Sequence, residues 1–326
     1  MHEPTIAPVF AILYPILAIV GVPANLLVII ILSRGQCGLS QCITYYLVAI
    51  AVADVLFIIT GCVLNRIVRK YFINSVLSTT PGCSLSTVLV YATQDSSVWL
   101  TVAFTFDRFV AICSQRMKNR YCTEKTATMV VGIVCALSCI TNVPLYFVYK
   151  PLFTMDSVPW FCAVQDTFYT SSIWKAYHWL DQILTPFLPF FLILLFNILT
   201  IRHIKVASRA RKRLCSTRLG EDTELASRKR SIVLLFAISL SFLLLWATYV
   251  GHFLYVRVTG ERYITSMDFN DPEYIFQEMT NLLQLLSSCN NVFIYVVSQN
   301  KFQEETKKLL LSPIKMFAVF FKVYHQ

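Results

Sequence analysis

Apolar residues fall in long blocks rather than in short alternations. No Asp, Glu, Lys or Arg occurs between Glu3 and Arg34, nor between Arg230 and Arg257. Blocks of roughly 20 apolar residues match the ~30 Å hydrocarbon thickness of a bilayer at 1.5 Å per helical residue. A helix also satisfies its own backbone hydrogen bonds in lipid. The pattern predicts an all-α membrane protein with seven spans, at residues 7–32, 43–68, 83–113, 126–149, 173–204, 231–256 and 272–297. A short eighth segment at 301–311 mixes Phe302, Leu309 and Leu310 with Glu304, Glu305, Lys307 and Lys308, as an amphipathic helix on a membrane surface would. Residues 1–300 then form one seven-span unit and 301–326 a cytoplasmic tail.

Composition agrees with a lipid solvent. Hydrophobic residues make up 56% of the chain and charged ones 14%, against about 25% in a soluble domain. No basic n-region follows Met1, so the first span is expected to act as its own anchor. The net charge of +10 raises the question of nucleic acid, but the distribution of the cations points elsewhere. With the N-terminus outside and the C-terminus in the cytoplasm, lysines and arginines on the inner segments outnumber those on the outer segments three to one. That asymmetry is the positive-inside pattern of a multi-pass plasma-membrane protein, and the excess faces anionic lipid or a cytoplasmic partner. No nucleic-acid partner is expected.

Eleven cysteines suggest a disulfide scaffold until they are placed on the spans. Cys62, Cys113, Cys135, Cys139 and Cys289 lie within spans and are expected to behave as small hydrophobes. Cys83 and Cys162 fall at the oxidising outer face and are expected to tie the third span to the loop between the fourth and fifth.

Polar residues at mid-membrane depth are costly and mark candidate function. Asp54 lies half-way along the second span; Ser97 in the third and Ser287, Ser288 and Asn291 in the seventh lie at comparable depth. Together they form either an oxygen-rich cage for Na⁺ or a hydrated hydrogen-bond network without an ion. A second pair, Asp107-Arg108, closes the third span 25 residues, or about 37 Å, after Cys83. An interfacial Arg beside an Asp can pair with it or swing to a new partner, as an electrostatic switch requires.

In chain order these residues form a constellation that resembles the rhodopsin-like G-protein-coupled receptors. Gly21-Val22-Pro23-Ala24-Asn25 is similar to their helix-1 Asn motif, and Leu47 through Asp54 to their Leu-Ala-x-x-Asp. Asp107-Arg108-Phe109 resembles Asp-Arg-Tyr, and Phe242-x-x-x-Trp246 the helix-6 toggle. Pro189 stands in for the helix-5 Pro; Asn291-Val292-Phe293-Ile294-Tyr295 resembles Asn-Pro-x-x-Tyr, and Lys301-Phe302 the start of helix 8. Thr248 replaces the helix-6 Pro, which removes the usual source of a kink, and Asn197 replaces the helix-5 Tyr. The departures, with Ser97 through Val102, resemble an orphan branch associated with aromatic amino acids and small peptides, near the FMRFamide-type receptors.

The resemblance implies a pocket for an extracellular small molecule or short peptide. The third span would give it Val90, Tyr91, Gln94 and Asp95, and the fifth His178, Asp181 and Gln182. The sixth would add Trp246, Tyr249 and Phe253, and the seventh Gln277, Asn281 and Gln284. Val90 occupies the place of the amine receptors' Asp, which argues against a monoamine; Asp95 or Asp181 would receive a cationic group instead. At the inner end the family implies that the α subunit of a heterotrimeric G protein, favouring Gq/11, enters a groove opened by the sixth helix. There Arg108 would touch its backbone, and Val110, Ala111, Ile112 and Met117 would form the second-loop contact. Arg228, where many relatives carry an acid, would leave the resting clamp on Arg108 weak.

A transporter or channel is the alternative reading. Asp54 and Asp95 could begin a charged path, but no matching charge is read in the seventh span. An enzyme is not expected, since His203 stands without a nucleophile or metal-ligand pattern.

Overall fold

The computed structural model describes residues 7–35, 37–214, 222–259 and 271–309. The side chains of residues 210–231, Arg228 among them, lie outside that description. Seven long helices stand at the seven predicted spans. They are α1 (Ala7–Ser33), α2 (Gln41–Phe57), α3 (Thr80–Cys113), α4 (Glu124–Asn142), α5 (two arms, Ser172–Gln182 and Leu188–Leu214), α6 (Asp222–Thr259) and α7 (Pro272–Ser298). Six are long and apolar enough to cross a membrane. The seventh, α7, is as long as α1 at 27 residues, but Gln277, Glu278, Gln284, Ser288 and Asn291 dilute its apolar character. Residues 300–309 are helical as well, and Phe302 is buried against Tyr295 with ring centroids 5.8 Å apart.

The bundle inverts the soluble pattern. Met129, Ile133, Leu137 and Ile140 form an exposed apolar stripe down α4, as lipid demands. Asn25, Asp54, Thr105, Asn142 and Ser288 are buried among the helices. Packing follows: α3 runs through the middle and touches α2, α4, α5 and α6, while α7 closes the ring against α1, α2 and α6. One apolar cluster holds Leu47, Ile50, Leu100, Phe104, Leu234, Leu235 and Tyr295. Gly21 lets α1 approach α7 closely, because a Cβ there would collide with Cys289 Sγ and lie 2.8 Å from Ile58 Cδ1.

Local sequence explains the helix ends and breaks. Thr79 caps α3 by accepting the Gly82 N–H at 3.3 Å, with Pro81 in the first turn. Beyond Phe57, α2 continues in wider turns through Ile58–Val68. In α5 the break lies at Thr185 (φ −148°, ψ 107°), immediately before Pro186. A proline lacks the amide hydrogen and biases its predecessor toward extended backbone. The irregularity is therefore at Pro186, three residues before the Pro189 that the motif singles out. The α6 helix runs through Thr248 as a single element.

Between α4 and α5 the chain forms two small antiparallel pairs, unforeseen in the sequence. Strands of two or three residues leave no legible periodicity. β1 (Tyr149–Lys150) pairs with β4 (Ala163–Val164), and β2 (Phe153–Met155) with β3 (Val158–Trp160). Asp156 and Ser157 turn the inner hairpin, both at positive φ. Cys162 follows and is disulfide-bonded to Cys83 of α3, as expected. Of the cysteines expected to be core, Cys62 and Cys289 are buried, whereas Cys139 is exposed on α4.

Candidate functional site

Three polar regions are stacked along the bundle axis. The middle one centres on Asp54, which is fully buried. Ser97 Oγ on α3 donates to Oδ1 at 2.5 Å, and Asn291 Nδ2 on α7 donates to Oδ2 at 2.8 Å. Asn25 Nδ2 on α1 donates to the carbonyls of Gly21 (3.0 Å) and Ser288 (2.9 Å), which fixes the α7 backbone beside the acid. A cavity of about 10 Å³, room for a single water-sized occupant, adjoins the carboxylate. All five residues read from the sequence, Asp54, Ser97, Ser287, Ser288 and Asn291, line it. The Asp54 carboxylate and the hydroxyls of Ser97, Ser287 and Ser288 are hard oxygens, a donor type that suits a small hard cation, while Asn291 presents its nitrogen to the acid. Phe242 and Trp246 form its roof, their rings stacked 5.1 Å apart.

Toward the disulfide end the bundle opens into a cavity of about 760 Å³. Val90, Tyr91 and Gln94 enter it from α3, His178, Asp181 and Gln182 from α5, Tyr249 from α6, and Gln277, Asn281 and Gln284 from α7. Gln94 and Phe57 line both this cavity and the Asp54 cavity, so the two are separated by single side chains. Gln182 Nε2 approaches the Tyr249 hydroxyl at 3.5 Å across the α5–α6 seam.

Three residues expected in the pocket lie elsewhere. Asp95 is turned away and accepts a 2.7 Å hydrogen bond from Asn142 of α4. It sits one residue, hence about 100° of helix, from Gln94. Trp246 lies beneath the large cavity as the roof of the small one. Phe253 is buried against Trp179 (6.1 Å) and Phe187 (5.1 Å) of α5.

The structure also supplies charges that the sequence reading missed. Glu278 is buried on α7, so the expectation of no matching charge there is corrected. It pairs with Arg66 of α2 at 2.7 Å and accepts the Tyr14 hydroxyl of α1 at 2.7 Å, joining three helices at the cavity wall. Arg66 and Arg69 both line the cavity. Arginines near a span end read as interfacial until the partner is seen. On the loop side Lys150 pairs with Asp166 at 2.6 Å and holds that exposed carboxyl below the usual range, chiefly by hydrogen bonding.

At the opposite end Asp107 and Arg108 are both buried and paired, with Arg108 Nε donating to Asp107 Oδ2 at 3.0 Å. The Cys42 thiol donates to Asp107 Oδ1 at 3.1 Å, anchoring the acid to α2. Phe109 stacks on Phe196 of α5 with centroids 5.7 Å apart. Tyr295 is buried on α7 against Phe302. Of the expected loop contacts, Met117 is exposed on a helix at Gln115–Tyr121, but Val110 is buried in the core and unavailable to a partner, being set by register on the inward face of α3. The Arg228 side chain lies outside the described residues.

Comparison with known proteins gives this arrangement a context. A family model described as "7 transmembrane receptor (rhodopsin family)" matches residues 24–295. The chain is 26% identical to the FMRFamide receptor of Drosophila melanogaster over 310 residues, covering 90% of this chain and 52% of that protein. It is 20% identical to Probable G-protein coupled receptor 142 of Mus musculus over 319 residues, 95% of this chain and 75% of that protein. It is 26% identical to Tachykinin-like peptides receptor 86C of Drosophila melanogaster over 279 residues, 79% and 52% respectively. The chain thus spans about half the length of the two fly receptors it matches.

Proposed function

Because the chain belongs to the rhodopsin family of seven-transmembrane receptors, we propose that it is a plasma-membrane receptor that activates a heterotrimeric G protein of the Gq/11 class when a small molecule or short peptide enters the 760 Å³ cavity. The disulfide end then faces outward and the Arg108 end faces the cytoplasm, in keeping with the excess of lysine and arginine on the latter side. Two of the similar proteins are named for peptide ligands, and the cavity volume suits a ligand of that size or smaller. The helix at 300–309 lies along the inner membrane surface, with Phe302 turned to the bundle and its charged residues to water.

The observation that carries this reading is the continuity of the polar axis. Gln94 belongs to the walls of both cavities, and Trp246 roofs the lower one and meets Tyr249 of the upper at 6.0 Å. A cationic group on Asp181 draws the ligand against Tyr249 and shifts the Trp246–Phe242 stack. Those rings rest on the Asp54 cavity, which takes Na⁺ in the resting arrangement. Displacement of α6 then frees Arg108 from Asp107 to meet the helical tail of the G-protein α subunit. By linkage, G protein and ligand raise each other's affinity by the same factor.

The test sets ligand-dependent G-protein recruitment against solute flux in proteoliposomes of the purified chain. Recruitment without flux supports the receptor; flux without recruitment favours a transporter and sinks the reading.

A further inference from the structure

The cations around the large cavity are not equivalent. Arg66 is neutralised by Glu278 at 2.7 Å, and Lys175 is exposed to water. Arg69 stands one helical turn beyond Arg66 and is half-buried in the cavity wall. Its Nη1 donates to Asn65 Oδ1 at 2.8 Å and its Nη2 to Cys162 Sγ at 3.6 Å. Among the described residues no carboxylate lies within ion-pair distance of it. Asn65 and the tethered Cys162 hold the guanidinium in place in the cavity wall, which pre-organises it for a planar bidentate anion. Burial works against its charge, and the nearby Arg66 adds to that effect. Across the cavity Asp181 on α5 supplies the opposite sign, while the other cavity acid, Asp166, is taken by Lys150.

We propose that Arg69 recognises an anion and that the ligand carries a free carboxylate in addition to its cationic group, so that an acid is preferred over the corresponding amide. The inference rests on the placement of the ligand in this cavity. It distinguishes the chain from what the name of the FMRFamide receptor says that protein recognises. A neutral amide leaves the half-buried guanidinium without a counter-charge; a carboxylate supplies two acceptors to the donors that Asn65 and Cys162 leave open. Tyr91, Phe168 and Tyr249 provide aromatic walls for the rest of the molecule.

The probes are L-phenylalanine, L-tryptophan and their dipeptides, each as the free acid and as the C-terminal amide. Binding to the full chain in nanodiscs is read by thermal shift. The acids are expected to bind at least about tenfold more tightly than the amides, the scale of a charge-assisted hydrogen-bond pair. In Arg69→Gln that ratio falls to about one, through loss of acid binding with amide binding kept, which also certifies the fold. Arg69→Lys retains part of the preference. A wild-type ratio near one, a ratio untouched by Arg69→Gln, or no binding by any acid overturns the proposal. G-protein nucleotide exchange is measured separately, so failure of the receptor reading appears as binding without exchange.

Discussion

Asn291 of α7 reaches across the bundle to donate a 2.8 Å hydrogen bond to Asp54 of α2, on the oxygen that Ser97 leaves free. Three helices therefore converge on one carboxylate. The acid is retained in the membrane interior at a cost that only a shared partner can offset.

The first prediction concerns Na⁺. Thermal stability of the purified chain should rise when Na⁺ replaces choline at constant ionic strength, by about 1–2 kcal/mol at saturating salt. Asp54→Asn should remove that dependence while keeping the hydrogen-bonded packing. Equal salt responses in wild type and Asp54→Asn would exclude the cation from this cavity.

Removal of one partner from the Arg66–Glu278 pair should be costly. Glu278 is buried whereas the Arg66 side chain is 32% exposed, which puts the loss for Glu278→Gln at the lower end for buried pairs, about 3 kcal/mol. Arg66→Met combined with Glu278→Leu should recover much of it. A thermal-unfolding double-mutant cycle measures the difference, and purely additive losses would show that the pair is not coupled.

Gly21→Ala should destabilise the α1–α7 seam by about 1–3 kcal/mol, because the new methyl meets Cys289 Sγ and Ile58 Cδ1. Cys289→Ala in the same chain should relieve the clash. An undiminished melting temperature in Gly21→Ala would mean that the two helices are not so close.

Cys122 lies in the turn between the Gln115–Tyr121 helix and α4, and burial pushes its thiol up to about 12, with Asp107 adding to the effect. The raised value keeps the neutral thiol dominant at pH 8, where thiolate is the reactive species. Alkylation followed by peptide mass spectrometry should therefore be slow at pH 8 in the folded chain. It should rise about tenfold per pH unit toward pH 10, and become fast on denaturation. Rapid labelling at pH 8 in the native state would contradict the burial.

Much of this is legible in the sequence. Six of the seven helices follow from block length, since lipid imposes a thickness that a soluble core does not, whereas α7 is diluted by polar residues. The Asp54 cage is legible for the same reason: polar residues at equal depth in oil have only one another to meet. Rotation about the helix axis is less legible. Asp95 and Gln94 are neighbours in sequence, yet one faces α4 and the other the cavity. Glu278 is not legible in the sequence, because its partners, Arg66 and Tyr14, are far away in the chain and each reads singly as a span-end residue. Val110 is core and not contact, a distinction the sequence does not carry, because an apolar residue beside a switch motif reads equally as either.

The proposed function requires two arrangements of the bundle, with Arg108 released from Asp107 in one of them. Guanine-nucleotide exchange on a purified Gq heterotrimer, catalysed by the reconstituted chain without ligand, reads the released arrangement. Measurable exchange is expected, because the resemblance puts Arg228, a like charge, where many relatives carry the acid that restrains Arg108. Arg228→Glu should lower that exchange, and Arg108→Ala should abolish it. No exchange above the receptor-free rate, or exchange indifferent to both substitutions, would mean that Arg108 is not released in this way.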